Sequence, residues 1–133
     1  MMDRNTARND GKSFAVPMAA GAVIGGGLMV MLDDKGLARE GQIKAGWHVI
    51  GLSDEACDNS AGKDGDVSVM VRRSEAFYFD NDTANPVTQV LVGNACWLKN
   101  AYTVTATAPA EGSVIAGRVL TVSPDDGVQV LIE

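Results

Sequence analysis

Histidine occurs once in these 133 residues, as His48, and cysteine twice, as Cys57 and Cys96. One histidine cannot build a His-based catalytic pair or a multi-histidine metal site. Two cysteines with no CxxC spacing and no neighbouring histidine pair signal neither zinc nor a disulfide framework. Both thiols are therefore expected to be buried in a reducing compartment, and His48 to be a partly buried strand residue. Basic residues are scarce as well: 11 Lys and Arg face 17 Asp and Glu, for a net charge of -6. That balance excludes a general phosphate-backbone binder, so nucleic acid is not an expected partner. No GxSxG, HExxH or placed Cys–His pair is present. The adjacent carboxylates Asp33–Asp34 and Asp125–Asp126 fall in turn sequences. As solvated turn residues they lack the desolvation that tunes one member of a pair for acid–base work, so the chain is not expected to be an enzyme. No cofactor and no metal are expected. The loop Asp58–Asp66 resembles a calcium loop only in composition, without the alternating ligand positions and terminal Glu.

Charge is missing altogether from Ser13 to Leu32, SFAVPMAAGAVIGGGLMVML. Twenty apolar residues could span a bilayer, and Gly21 with Gly25 forms GxxxG. Pro17 and the run Gly25–Gly27 oppose a helix, at roughly 3 kcal/mol for an interior Pro and about 1 for each Gly. A membrane is therefore not an expected partner. The stretch parses instead as a strand Ser13–Pro17, a small-residue loop with an extended piece at Val23 and Ile24, and a strand Leu28–Leu32. The triple glycine lacks the Lys-Ser/Thr of a P-loop and the spacing of a dinucleotide fingerprint.

The clearest signal is Gly65 to Asp80, GDVSVMVRRSEAFYFD. Val67, Val69, Val71, Phe77 and Phe79 share one parity, and Ser68, Arg72, Ser74 and Asp80 the other, the pattern of a half-buried strand. Arg73 and Glu75 interrupt the apolar parity, which predicts a bulge, bend or break near Ser74. Two adjacent arginines in a strand point to opposite sides, so Arg73 would share the buried face of the valines; it is expected at a strand end, a bulge or a subunit contact.

Turn chemistry divides the remainder. Asp33-Asp34-Lys35-Gly36 closes a first hairpin onto Leu37–Glu40, and Trp47–Cys57 is extended. Asn85 and Pro86 can start one short helical turn ending at Gly93. Ala95–Leu98 and Tyr102–Thr107 read as a second hairpin. Ser113–Val122 and Val128–Ile132 read as a third, closed by Pro124-Asp125-Asp126-Gly127. About eight short strands with regular turns predict an all-β fold, a small β-barrel or β-sandwich with at most one short helix. Residues 13–133 form the expected single β domain. Residues 1–12, MMDRNTARNDGK, are too polar to bury and form an N-terminal arm, flexible or partner-bound, whose Arg4, Arg8 and Lys12 make it slightly basic.

Four segments carry a family resemblance: KSFAVPMAAGAVIGGGLMVMLDDKG, VSVMVRRSEAFYF, VGNACWLKNAYTVTAT and AGRVLTVSPDDGVQVLI. Together they cover most of the chain and resemble the small capsid decoration, or cement, proteins of tailed bacteriophages, including Mu-like ones. The resemblance implies a structural virion protein that binds the outer surface of an expanded capsid in many copies and stabilises it. Its implied partners are the major capsid protein and neighbouring copies of itself, with the host cytoplasm as its place during assembly. The family offers no chemically functional motif to carry over, and the triple glycine and Arg72-Arg73 have no place in its pattern. From the residues themselves, the expected contact set is Arg4, Arg8, Lys12, Phe14, Val16 and Pro17, through the arm and an added edge strand, with Arg72 and Arg73 on the central stretch. Trp47, Trp97 and the apolar 14–32 stretch exceed what a small barrel hides, so a homo-oligomer is expected. The alternative function is a soluble β-barrel module for a small ligand or carbohydrate.

Overall fold

The computed structural model describes residues 1–133 and is all-β. Strands β1 (Ser13–Pro17), β2 (Val23–Ile24), β3 (Met29–Leu32), β4 (Ala38–Glu40), β5 (His48–Ser53) and β6 (Cys57–Asp58) come from the first half. Strands β7 (Ser68–Arg72), β8 (Glu75–Asn81), β9 (Ala95–Asn100), β10 (Thr103–Thr105), β11 (Ile115–Ser123) and β12 (Gly127–Ile132) follow. The twelve exceed the expected eight because Trp47–Cys57 and Gly65–Asp80 each divide, and because β2 and β6 span two residues each. No helix is long and apolar enough to cross a membrane, and Ser13–Leu32 supplies β1, β2 and β3. One 3₁₀ turn, Gln89–Leu91, stands where a helical turn was expected, and Gly93 follows it with φ +87°. Asn85 does not cap it: Thr88 occupies that position, and the Asn85 carbonyl accepts from Ala106 N instead.

Gly65–Asp80 breaks where its alternation fails. Ser74, with φ +59°, is the only non-glycine residue in the left-handed region, and it separates β7 from β8. The break sends the two strands into different sheets. β7 joins a five-stranded sheet in the order β1-β7-β5-β3-β4, while β8 joins a closed barrel in the order β10-β8-β12-β11-β9. β2 and β6 pair separately. The five-stranded sheet curls until its edges meet, because Met18, just past β1, bridges Ala38 of β4 and Ala19 N donates to the Ala38 carbonyl at 3.2 Å.

Two cores result. One, inside the curled sheet, contains Val16, Met18, Ile24, Val30, Ala38, Val69 and Val71. The other fills the barrel with Phe79, Cys96, Leu98, Val104, Val119, Val128 and Val130 among others, and includes Met29 and Met31. Strand alternation explains the division of β3: Val30 faces one core and its two neighbours the other, so the strand is apolar throughout. β5 also touches both cores, with Ile50 against the first and Val49 and Leu52 against the second; Ile50 and Leu52 share a parity, and the register shift opposite Val30–Met31, which leaves Ile50 without a partner on β3, lets them face different cores. Between them Gly51 is required, because a Cβ there would run into the Arg72 carbonyl and Val71. A backbone hydrogen bond from Met29 N to the Ala101 carbonyl, 2.8 Å, ties the sheet to the β9–β10 turn.

Because β3 closes both cores, its substitution should weaken the entire molecule. Met31→Ala is expected to cost about 2–5 kcal/mol, and Val30→Ala less, since fewer methylene groups leave. Circular dichroism, which reports the strands of both sheets, and tryptophan fluorescence, which reports the barrel side through Trp47 packed on its core and Trp97 on β9, should follow one coincident transition in both variants. Two separated transitions would show that the cores melt independently.

Candidate functional site

The arm meets the body at the corner between the sheets. Residues 1–10 are exposed and unpaired, with Arg4 and Arg8 among them. Three basic and two acidic residues in 1–12 leave eight basic against fifteen acidic in 13–133, so the arm carries +1 and the body -7. The chain turns at Gly11, φ +68°, and is then pinned by Arg73. The Arg73 backbone amide donates to the Lys12 carbonyl at 2.8 Å, and its Nε donates to the Gly11 carbonyl at 3.0 Å. Its guanidinium lies 5.6 Å from the centre of the Phe14 ring, a contact of about 0.5–1 kcal/mol at an exposed site. Arg73 thus sits just past the end of β7, where its charge escapes the valine face. Asn9, Gly11, Ser13, Phe14 and Arg73 line a shallow hollow of about 300 Å³ there.

The other expected contact residues divide. Lys12 and Pro17 are exposed and Phe14 half-buried. Val16 corrects the sequence reading: at 6% exposure it belongs to the core inside the curled sheet and presents no side chain to a partner. Its parity opposes that of Ser13, Ala15 and Pro17 on β1, which is why it turns inward. Arg72 lies on the outer face, but its charge is already matched by Asp54 and, at 4.0 Å, by Glu75. Arg72 and Arg73 therefore do not combine into one basic patch.

Three further readings change. His48, at the first position of β5, is exposed. Cys57 is only half-buried because β6 lies outside both main sheets, whereas Cys96 is fully enclosed in the barrel. Asp33 is not a solvated turn residue but is 6% exposed. Its Oδ1 accepts from Lys35 N at 2.9 Å and Leu37 N at 3.0 Å, and its Oδ2 from Arg39 Nε at 2.9 Å. The short Asx side chain builds the turn from within.

Two polar residues outside the expected set do similar work. Asp82 is 5% exposed and accepts from Lys99 Nζ at 3.0 Å, Thr105 Oγ1 at 2.9 Å and Ala84 N at 3.2 Å. It lies at one side of a pocket of about 490 Å³ that also holds Asn85, Lys99 and Glu111. Asn59 is 2% exposed and donates from Nδ2 to the Ala19 and Lys63 carbonyls at 2.9 and 3.0 Å, closing the Asp58–Asp66 loop onto the curled sheet. The sequence signal for both was an Asn-Asp or Asp-Asn pair entering a polar break, which announces a turn without saying that the side chain will be enclosed. In that loop Asp58, Asp64 and Asp66 accept from the amides of Ser60, Ala20 and Lys63. Compared with known protein families, characterised proteins and solved structures, the chain matches none.

Burial alone would raise the Asp33 carboxyl, but the Arg39 hydrogen bond and the Leu37 and Lys35 amides outweigh it and hold it below its ordinary 3.8. The Lys99 hydrogen bond, aided by Thr105 and Ala84, does the same for Asp82 against its desolvation. A depressed folded value means that these groups stabilise the fold above the unfolded value and lose that contribution as pH falls through the folded one. Melting temperature should therefore hold down to about pH 4 and drop below it, and the double variant Asp33→Asn, Asp82→Asn should shrink the drop. An acid limb identical in the variant would sink this account. Burial pushes the Cys96 thiol up to about 11, and burial with the Glu55 charge raises Cys57. A chromogenic thiol reagent at neutral pH should thus label Cys57 slowly and Cys96 only after unfolding. Equal labelling of both in the native protein would contradict the burial difference.

Proposed function

We propose that this is a structural virion protein that binds the outer surface of a phage capsid in many copies and stabilises the shell. The observation that carries the reading is a slightly basic twelve-residue arm, exposed through its first ten residues and pinned by Arg73 at Gly11 and Lys12 to an acidic body whose two cores are packed with side chains. Such a body offers a rigid platform, and the arm supplies the adaptable contact. The sequence resemblance to decoration proteins supports the same reading. Arg4, Arg8 and Lys12, with Phe14, Pro17 and Arg73 at the root, form the surface toward the major capsid protein or a neighbouring copy. The outer capsid surface is its final location and the host cytoplasm its place during assembly.

Stabilisation then follows from linkage. A protein that binds the assembled shell better than its separated subunits adds about 2.7 kcal/mol per site at a hundredfold excess over Kd. Repetition over the shell multiplies the effect, and a copy touching two capsomers gains further from effective concentration. Catalysis has no part in this reading. A small-ligand module is the second reading, favoured by the polar pocket beside Asp82 and Lys99; a ligand would have to sit there, since Leu98, Val104, Val119, Val128 and Val130 occupy the barrel interior.

Purified particles should contain the protein at a stoichiometry comparable with the major shell protein, and deleting residues 2–12 should lower its occupancy severalfold without unfolding the body. Absence from particles would remove the capsid reading. Unchanged occupancy of the deletion variant would remove the arm from it.

A further inference from the structure

Arg73 is the one arginine of the body without a carboxylate partner. Arg39 pairs with Asp33, Arg72 with Asp54 and Glu75, and Arg118 with Glu133. Arg73 is held instead by neutral groups: its Nε donates to the Gly11 carbonyl at 3.0 Å, and its guanidinium carbon stands 5.6 Å from the centre of the Phe14 ring. Those two contacts fix the plane of the fork and leave both terminal nitrogens unspent. A guanidinium oriented in this way is a ready bidentate donor to an oxyanion, because little side-chain freedom remains to be lost on binding.

The residue facing it is a second cation. β1 and β7 pair with Ser13 opposite Arg72 and Phe14 opposite Val71, and the bond from Arg73 N to the Lys12 carbonyl carries that register one step further. Lys12 and Arg73 are therefore cross-strand neighbours. By alternation both side chains leave the ladder on the side of Phe14 and Val71, with Cβ atoms roughly 5 Å apart. Like charges in such positions repel, and Lys12 forms no salt bridge either. The carboxylates closest along the chain are engaged elsewhere: Asp10 Oδ1 accepts from Lys12 N at 3.1 Å, and Glu75 lies against Arg72. The hollow of about 300 Å³ beside the pair adds further donors. Asn9 commits its Oδ1 to Gly11 N at 2.8 Å, which leaves its Nδ2 free, and the Ser13 hydroxyl is unspent. No acidic side chain lines the hollow, in a body of eight basic and fifteen acidic residues.

We propose that this corner is an oxyanion site that takes an aspartate or glutamate side chain of the partner surface, at the foot of the arm. The inference rests on the capsid reading for the identity of the partner, and on this chain alone for the site. A carboxylate is flat and meets the fork edge-on, whereas a phosphodiester chain would bring a polyanion against the negative body. The opposed cations supply the drive. A carboxylate between them replaces one repulsion by two attractions.

The test starts on the isolated, full-length protein. The Arg73 Nε–H resonance should shift saturably with acetate at fixed ionic strength in the wild type, and in Lys12→Glu the response should weaken severalfold, because the new carboxylate occupies the fork from within. The same variant should melt higher than the wild type, since an opposed pair of unlike charge replaces one of like charge. A lower melting temperature would overturn the cross-strand geometry. Arg4→Glu, which changes the arm's charge equally but in its exposed part, should keep the acetate response, and a loss there would assign the effect to overall charge. No saturable shift in the wild type, or one that persists in Lys12→Glu, would overturn the site; a response to inorganic phosphate with none to acetate would overturn the carboxylate as its ligand. On purified particles Lys12→Glu should lower occupancy severalfold more than Arg4→Glu, and equal occupancy of the two would overturn the docking role. Wild-type protein missing from particles is a different failure: it removes the capsid reading, while the acetate titration still decides the site.

Discussion

Strand β3 separates two cores, and the rest of the fold depends on it. Met29 and Met31 pack with the barrel while Val30 packs inside the curled sheet. In most sheets the alternation of a strand divides core from water; here it divides core from core, so neither parity can be polar. β5 accepts the same constraint by pairing with β3 through a register shift at Val30–Met31 and by placing Gly51 where no side chain fits beside the Arg72 carbonyl. The charge-free run that invites a membrane reading is the sequence trace of this sharing. Only its last part, Met29 to Met31, is enclosed from both sides by protein, and there apolar residues are needed on both faces.

The strands themselves were largely legible. Turn residues mark where each ends, and parity marks which face is buried, so Ser13–Pro17, Val23–Ile24 and the hairpin across Asp33–Gly36 stand where alternation and turn chemistry put them. The corner was legible too, because Arg73 and Glu75 break the apolar parity on either side of Ser74. What alternation cannot reveal is sheet membership. Nothing local in VSVMV or FYF says that β7 belongs with β1 and β5 while β8 belongs with β12 and β10. That choice rests on contacts between residues far apart in the chain. Val16 is a different case: its parity opposes that of exposed Ser13, Ala15 and Pro17, so alternation alone turns it inward with Phe14.

Polar chemistry in this molecule is spent on loops. Asp33, Asn59 and Asp82 are enclosed, and each is bonded to backbone amides or carbonyls of its own or an adjoining turn. Short carboxylate and carboxamide side chains do this well because they reach the backbone two residues on with little entropy to lose. Composition registers Asp33 and Asp82 only as acidity and Asn59 not at all. The surplus negative charge is therefore partly internal scaffolding, and the exposed remainder is what a basic arm can answer.

The pairing of β1 with β7 carries a consequence for biosynthesis. Ser13 finds its partner in Arg72, on the last strand of the first sheet in chain order, and the curl that shelters Val16 and Met18 cannot close until that strand has been made. As the polypeptide leaves the ribosome, its earliest strand must wait, with its backbone open, while β2 to β6 emerge. Non-local pairing of this kind folds slowly and leaves intermediates prone to sticking. Charged residues immediately ahead of that strand, Arg4, Arg8, Asp10 and Lys12, then have a second value: they keep the nascent first strand soluble until its mate arrives.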